Sequence, residues 1–162
     1  MSDLPDNFHW IINGRLAGSA TPSVKELDAL KKEGIDAVVS LQNNEEYDTP
    51  SYSREDLDSY GISHINIPVP DFTTPSEHQF REFIDYMQAN PGKTVLVHCY
   101  LGRDRTGTML AAYLGYTQGL DGYTAIGNLR RIWPKYIQNL WQEEAVVAFL
   151  KELMACCTTV EE

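Results

Sequence analysis

Apolar residues along this chain follow two periods, and the segments that they mark alternate between predicted strands and predicted helices. A nearly continuous apolar run over residues 35–41 predicts a buried strand. Residues 62–67 alternate with the period of two that is typical of a strand, and residues 94–98 form a third short β-rich run.

The segments between these strands carry apolar residues at helical spacing. Thr21 and Pro22 provide an N-cap and a first-turn signal for a helix that ends at Gly34. The stretch Thr74-Pro75-Ser76-Glu77 is interpreted as a capping box before another helix, which carries an apolar face. Further helices are predicted over residues 54–60, 106–118, 123–132 and 138–154.

Strands that alternate with helices favour an α/β fold in which helices flank a central, mostly parallel sheet. The 162 residues suit a single domain with one core. Sites in such sheets lie beyond the carboxyl ends of the strands. Two predicted strand ends carry unusual loops, one with Asp71 and one with Cys99.

Composition and charge narrow the classes of function. The net charge of −10 argues against nucleic acid and against stable membrane association, because an acidic chain repels phosphate backbones and anionic lipids. The N-terminus has neither a basic nor an apolar signal region, so the expected location is the cytoplasm. The three cysteines, an odd number without framework spacing, do not indicate a disulfide scaffold.

The chemistry is concentrated between residues 97 and 108, where a predicted strand runs through a loop into a predicted helix. Backbone N–H groups and the positive end of the helix favour an anion in such a loop. Cys99 begins the loop, so the same field favours its thiolate, which is the reactive form. The expected phosphate cradle consists of Tyr100, Leu101, Gly102, Arg103, Asp104 and Arg105.

Residues around Cys99 suit phosphate chemistry. Arg105 can donate two hydrogen bonds to one phosphate, and Gly102 allows the loop to turn with its amides inward. Thr106 places a hydroxyl near the sulfur, where it can stabilise the thiolate as a leaving group. His98 is expected to brace the loop through hydrogen bonds behind the nucleophile.

Two other interpretations of this segment compete with that one. Gly102 and Gly107 have the spacing of a Walker A loop, but Thr108 stands where that motif needs lysine. Cys99 could also be an ordinary buried cysteine. The flanking histidine, both glycines and the strand–loop–helix context favour the phosphate site instead.

The motif His98-Cys99, Gly102, Arg105-Thr106-Gly107 resembles the signature of the protein tyrosine phosphatase superfamily. The chain is similar to its small atypical dual-specificity phosphatases and to their archaeal single-domain counterparts. Residues 10–20 resemble the N-terminal strand of the family, residues 67–72 its acid loop, and residues 138–146 the segment that closes the site. The resemblance implies a dual-specificity phosphatase-like fold and one catalytic domain over residues 1–162.

The resemblance also implies a two-step reaction that needs neither a metal nor a cofactor. Asp71 matches the family's general acid and lies in a proline-flanked loop of the type that moves as a lid. It protonates the leaving oxygen and then serves as the base for water. Gln138 and Gln142 match glutamines that position this water in archaeal relatives, and the predicted helix places them on one face.

The chain departs from common family patterns at two places. Residues 132–136 replace an arginine- and glycine-containing segment, which changes the expected pocket wall. Arg103-Asp104 before the motif arginine resembles phosphatases that act on phosphoinositides. Arg103 could therefore reach a second phosphate, although both side chains could equally point outward.

The leading hypothesis is a protein phosphatase that acts on phosphotyrosine, with phosphoserine and phosphothreonine as further substrates. The alternatives are a phosphoinositide or inositol-phosphate phosphatase and, from another class, a non-catalytic phosphate-binding adaptor. The expected partner is a phosphorylated protein or a small phosphate monoester, and the expected oligomeric state is a monomer.

An exposed thiolate is easily oxidised, which raises the question of redox control at Cys99. No second cysteine lies near it in sequence. A protective disulfide would therefore require Cys156 or Cys157 to fold close to Cys99.

Overall fold

The computed structural model describes residues 3–159, with side chains described as far as residue 156. In this part of the chain five strands form one sheet: β1 (His9–Ile12), β2 (Leu16–Ser19), β3 (Ala37–Ser40), β4 (Ser63–Asn66) and β5 (Val95–His98). Their order across the sheet is β1-β2-β5-β3-β4. β1 runs antiparallel to β2, and the other neighbours are parallel, which confirms the predicted mostly parallel sheet.

Helices flank this sheet, as the α/β pattern predicts. None of the helices described between residues 3 and 159 is long and apolar enough to cross a membrane. A 3₁₀ turn, Val24–Glu26, precedes the α-helices α1 (Leu27–Glu33), α2 (Arg54–Ser59), α3 (Glu77–Ala89), α4 (Arg105–Gln118), α5 (Gly122–Ile132) and α6 (Leu140–Thr159).

The N-terminal segment over residues 10–20 is a hairpin and not the single strand expected from the family resemblance. Asn13-Gly14 forms the turn, with Gly14 at a φ of 71° and the Arg15 N–H donating to the Ile12 carbonyl at 3.0 Å. Asn-Gly is a strong hairpin signal, and in this turn Gly14 takes the positive φ. The hairpin is therefore encoded locally, in a dipeptide that strand periodicity alone does not reveal.

Two predicted helix starts are wrong by two residues. The Thr21 N–H donates to the carbonyl of Tyr100 at 3.1 Å, which keeps the chain extended until Ser23 caps the 3₁₀ turn. Ser76, not Thr74, is the N-cap of α3, and it exchanges hydrogen bonds with Gln79 in a capping box.

The last predicted helix begins later than expected. α6 starts at Leu140, so Gln138 lies before it and does not share a helix face with Gln142. The Gln138 N–H instead donates to Oδ1 of Asp104 in the phosphate loop at 2.7 Å. This bond holds the backbone at Gln138 outside the helical ladder.

The central strand places the chemistry at one edge of the sheet. β5 lies between β2 and β3, and its residues are buried on both faces. Val95 and Val97 pack into one apolar cluster with α3 and α4, while Leu96 packs on the other face with Leu27 and Leu30. Because both faces are covered, the exit of β5 at His98 is held rigidly where the loop begins.

Candidate active site

The loop from Cys99 to Arg105 connects the carboxyl end of β5 to the first residue of α4. Cys99 is buried, with 3% of its surface exposed, and its Sγ accepts a hydrogen bond from the Gly102 N–H at 3.3 Å. The loop thus turns the Gly102 amide toward the sulfur, next to the positive end of a 14-residue helix. Cys99 is less exposed than the hypothesis of redox control assumes.

Gly102 is required by the packing of this loop as well as by its backbone conformation. Its φ is 73°, and a Cβ placed there would lie 2.3 Å from the carbonyl carbon of Ser19 and 2.5 Å from the N of Ala20. The loop therefore lies directly against the backbone at the end of β2. No side chain can be accommodated without moving the loop or the strand.

Gly102→Ala is expected to lower phosphate release by about 10²-fold, because the loop must shift by roughly 1 Å to relieve the contact. Gly119→Ala is the matched control, since Gly119 has a similar φ of 65° but no atom within 4 Å of the point that a Cβ would occupy. The control should lose about 1 kcal/mol of stability and keep its activity. Equal losses of activity in both variants would show that backbone strain, not packing, sets the effect.

Arg105 is held by a buried carboxylate that sequence reasoning missed. Its Nη1 and Nη2 donate to Oδ2 and Oδ1 of Asp48 at 2.7 and 3.0 Å, and Nη1 also donates to the Val69 carbonyl at 2.8 Å. Both side chains of this bidentate pair are almost fully buried, with 2% and 4% exposed. The pair fixes the plane of the guanidinium before any phosphate binds.

Each member of this pair favours the ionised form of the other. Burial by itself raises the pKa of Asp48, but the hydrogen bonds and charge of Arg105 outweigh it and hold that pKa below its usual range. Burial likewise opposes the charge of Arg105, while Asp48 raises its pKa. No periodic signal marks Asp48, because it lies in the polar stretch 42–53, whose composition indicates only a loop.

The structure brings Asp71 to the same site. Its Oδ1 lies 3.5 Å from Nη2 of Arg105, and its side chain is partly exposed. Tyr47 donates from its hydroxyl to Oδ2 of Asp71 at 3.1 Å, and the Phe72 N–H donates to Oδ1 at 2.9 Å. The partly exposed Asp71 carboxylate thus lies beside Arg105, and its role as general acid stays a prediction.

His98 is fully buried next to Cys99, and its ring contacts the loop backbone on one side and Tyr52 on the other. Its Nδ1 is 3.1 Å from the Cys99 carbonyl, which can only accept, so Nδ1 carries the proton. Its Nε2 then accepts from the Tyr52 hydroxyl at 2.5 Å. Burial lowers the pKa of His98 from 6.5 to about 4, so the imidazole is neutral near pH 7.

The buried histidine predicts a loss of stability in mild acid. The unfolded chain takes up the proton at the ordinary value, whereas the folded chain resists it, so stability falls as the pH drops from 6.5 toward 4. Between pH 7 and pH 5 the expected loss is about 2 kcal/mol. Urea unfolding of wild type and His98→Asn at both pH values measures it; an unchanged pH dependence in the variant would contradict the assignment.

The remaining phosphate-loop residues differ in exposure. Tyr100 and Leu101 are exposed, with 43% and 50% of their surface accessible. The Nε atom of Arg103 and the Oγ1 atom of Thr106 are buried without a hydrogen-bond partner among the described residues. The role of the Thr106 hydroxyl toward the thiolate stays a prediction.

The two predicted glutamines are separated in the structure. Gln138 is exposed, and its Nε2 donates to the Lys135 carbonyl at 2.8 Å. Gln142 is fully buried, donates to the Thr73 carbonyl at 3.1 Å and accepts from Asn139 at 2.9 Å. The structure thus places Gln142 against the acid loop and Gln138 outside it.

Cys156 is exposed near the end of α6, and the side chain of Cys157 lies outside the described residues. Among the side chains that the structure describes, no group of three or more histidine, cysteine, aspartate or glutamate residues could hold a metal ion.

The same combination of fold and loop occurs in known proteins. A family model described as "PTP-SAK: Swiss Army Knife protein, DSP-PTPase phosphatase domain" matches residues 5–159. The chain belongs to this phosphatase family. Membership of the PTP-SAK family confirms the resemblance to the protein tyrosine phosphatase superfamily.

The names of the relatives of this PTP-SAK domain form two groups, the PTP group and the PTPMT group. The crystal structure of Tk-PTP in the active form is similar, with a TM-score of 0.80, 36% identity, and coverage of 90% of this chain and 96% of that chain. The crystal structure of PTPMT1 in complex with PI(5)P has a TM-score of 0.83 and 25% identity, and covers 94% and 99% of the two chains.

In sequence, the PTP-SAK chain is 32% identical over 155 residues to the phosphatidylglycerophosphate phosphatase PTPMT2 of Arabidopsis thaliana. The matched region covers 90% of this chain and 65% of that relative. The chain therefore spans slightly less than two thirds of the relative's length.

Proposed function

We propose that this protein hydrolyses phosphate monoesters through a phosphocysteine intermediate, with phosphotyrosine in proteins as its substrate. One observation carries the proposal: Arg105, held by Asp48, connects the Cys99 loop to Asp71 across a single small site. Three separate stretches of the chain meet there: the Cys99–Arg105 loop with the proposed nucleophile and phosphate clamp, the segment with Asp48, and the loop with the proposed proton donor Asp71.

The geometry supports a two-step transfer. The Cys99 thiolate attacks phosphorus, a sulfur–phosphorus bond forms, and the bond to the leaving oxygen breaks as Asp71 gives that oxygen its proton. Water then attacks phosphorus, Asp71 takes the water proton, and the thiolate departs with phosphate released. Arg105 and the loop amides neutralise the charge on the phosphoryl oxygens throughout.

Aromatic side chains at the mouth of the site favour an aryl ester. The rings of Tyr47 and Tyr100 pack edge to face with their centroids 5.9 Å apart, and both rings are well exposed. Phe72 is 69% exposed beside Asp71. A phosphotyrosine ring can pack against such a rim while its phosphate reaches Arg105.

The adjoining groove also bears on the choice of substrate. It has a volume of about 530 Å³ and is lined by residues of the 43–48 loop and by Pro70 and Asp71. Glu45 and Glu46 are exposed along it. These charges disfavour leaving groups that carry further phosphates and tolerate neutral or basic ones.

A phosphatidylglycerophosphate- or phosphoinositide-type lipid phosphate is the second candidate. The names of PTPMT2 and of the PTPMT1 complex with PI(5)P support it, as does the unpartnered Nε of Arg103 in the phosphate loop. Such a lipid is an alkyl phosphate monoester that carries one further negative group, its phosphodiester. The Arg105 guanidinium can bind the monoester phosphate of this lipid as well as that of phosphotyrosine.

A substrate panel tests the proposal. Phosphate release is measured with EDTA present from a phosphotyrosine peptide, a phosphothreonine peptide, a soluble short-chain phosphatidylglycerophosphate and a soluble short-chain PI(5)P. Phosphotyrosine is expected to give the highest kcat/KM. A lipid preference of about tenfold or more would transfer the assignment to the second candidate, and saturable binding without release would identify a non-catalytic adaptor.

A further inference from the structure

Two adjacent side chains of α6 bind two adjacent carbonyls, that of the last residue of the acid loop and that of the residue after it. Trp141 donates from Nε1 to the Phe72 carbonyl at 2.9 Å, and Gln142 donates from Nε2 to the Thr73 carbonyl at 3.1 Å. Asn139 donates to the Gln142 Oε1 at 2.9 Å and so orients the amide. Each end of the Gln142 amide therefore has one protein partner.

The residues just before α6 bind the phosphate loop in the same way. The Ile137 N–H donates to the Arg103 carbonyl at 3.2 Å, and the Gln138 N–H donates to Oδ1 of Asp104 at 2.7 Å. One short segment, residues 137–142, is thus bonded at its start to the Cys99 loop and at its end to the Asp71 loop. We call this segment the strap.

We propose that the strap sets the distance between nucleophile and general acid, and that Trp141 and Gln142 are positioning residues for Asp71. This inference rests on the proposed function of the same site. It assigns Gln142 to the positioning of Asp71, through the acid loop, and not to direct binding of the water. The alternative role, holding water for the second step, requires an amide that solvent can reach, whereas Gln142 is fully buried.

The acid loop needs such an external constraint because its own conformation is strained and exposed. Phe72 has a φ of 64°, which is unfavourable for a residue with a bulky side chain. The turn has one internal backbone bond, from the Thr73 N–H to the Pro70 carbonyl at 3.1 Å. The bonds from α6 hold the carbonyls of this strained residue and of the one after it.

The strap is tested by the dependence of rate on the leaving group. Trp141→Phe keeps an aromatic ring but loses the donor, and Gln142→Met keeps the length of the side chain but loses both hydrogen bonds. With an alkyl phosphate, which needs the acid, kcat/KM is expected to fall about fivefold for each variant. With p-nitrophenyl phosphate, the leaving group is nitrophenolate, which departs readily without a proton. The loss of kcat/KM with this ester should therefore be clearly smaller.

Two further measurements separate the strap from a water-binding role. In an Asp71→Asn background the Trp141→Phe effect on the alkyl phosphate should disappear, since the bond acts through Asp71. A water role for Gln142 affects only the hydrolysis of phosphocysteine, so it predicts equal losses of kcat with both esters, an unchanged kcat/KM, and accumulation of phosphocysteine after acid quench. That pattern would overturn the proposal.

Trp10→Phe is the control variant for Trp141→Phe, because the Trp10 side chain packs on Phe8 away from the site.

Amide hydrogen exchange gives a readout that does not depend on turnover. Peptides covering residues 70–76 should exchange faster in both variants than in wild type, while peptides covering the central strand should not change. Unchanged exchange at the acid loop would overturn the strap even in an active enzyme. If wild type released no phosphate from any ester, the proposed function would be wrong. The hydrogen-exchange result would still test whether the strap holds the acid loop.

Discussion

Replacing Cys99 by serine is expected to lower phosphate release by at least about 10⁴-fold while the protein stays folded. A serine hydroxyl is almost never ionised at neutral pH, so the attacking anion is lost. The substitution is nearly isosteric and leaves the pair of Arg105 and Asp48 untouched. The variant should therefore still bind phosphotyrosine peptide, which titration calorimetry measures alongside phosphate release.

Cys156→Ser is the matched control, because Cys156 is an exposed thiol on α6. It should retain wild-type turnover. Turnover retained by Cys99→Ser would show that another group attacks phosphorus. Equal loss in both variants would point to a general effect of thiol chemistry.

Asp48→Asn should be the most damaging change outside the phosphate loop. Arg105 would keep its buried charge but lose the carboxylate that it contacts at 2.7 and 3.0 Å. Breaking one side of a buried ion pair typically costs about 3–5 kcal/mol, so a loss of about 3 kcal/mol in the free energy of unfolding is expected. With its guanidinium no longer fixed, kcat/KM should fall by about 10³-fold.

Asp58→Asn, an exposed change on α2, controls for the loss of one acidic residue. The pH dependence adds a second check. Because the folded pKa of Asp48 is depressed, its stabilising contribution is complete above the unfolded value of about 3.9 and disappears as the pH falls below it. Asp48→Asn should lack that part of the acid-induced loss. If Asp48→Asn unfolded at the same urea concentration as wild type at pH 7, a structural role for the pair would be contradicted.

The strand, loop and helix that carry Cys99 were predictable because their signals are local. The strand Val95–His98, the loop with Cys99 and Gly102, and the helix that starts at Arg105 follow one another directly, so short-range apolar patterning and loop residue types were sufficient. The mostly parallel sheet followed from the alternation of strands and helices. The errors at Ser23, Ser76 and Leu140 concern ends of elements, where hydrogen bonds to the phosphate loop or local capping decide the boundary.

Asp48, Trp141 and Gln142 could not be predicted in the same way. Asp48 is 57 residues from Arg105 in sequence, and the two donors of α6 each act on a carbonyl 69 residues away. Such bonds depend on which loops the packed sheet and helices bring together, and they have no period along the chain. Residue types and local spacing therefore indicated the candidate nucleophile and the loop that carries it, whereas the orientation of Arg105 and the position of Asp71 arise from long-range packing of separate loops.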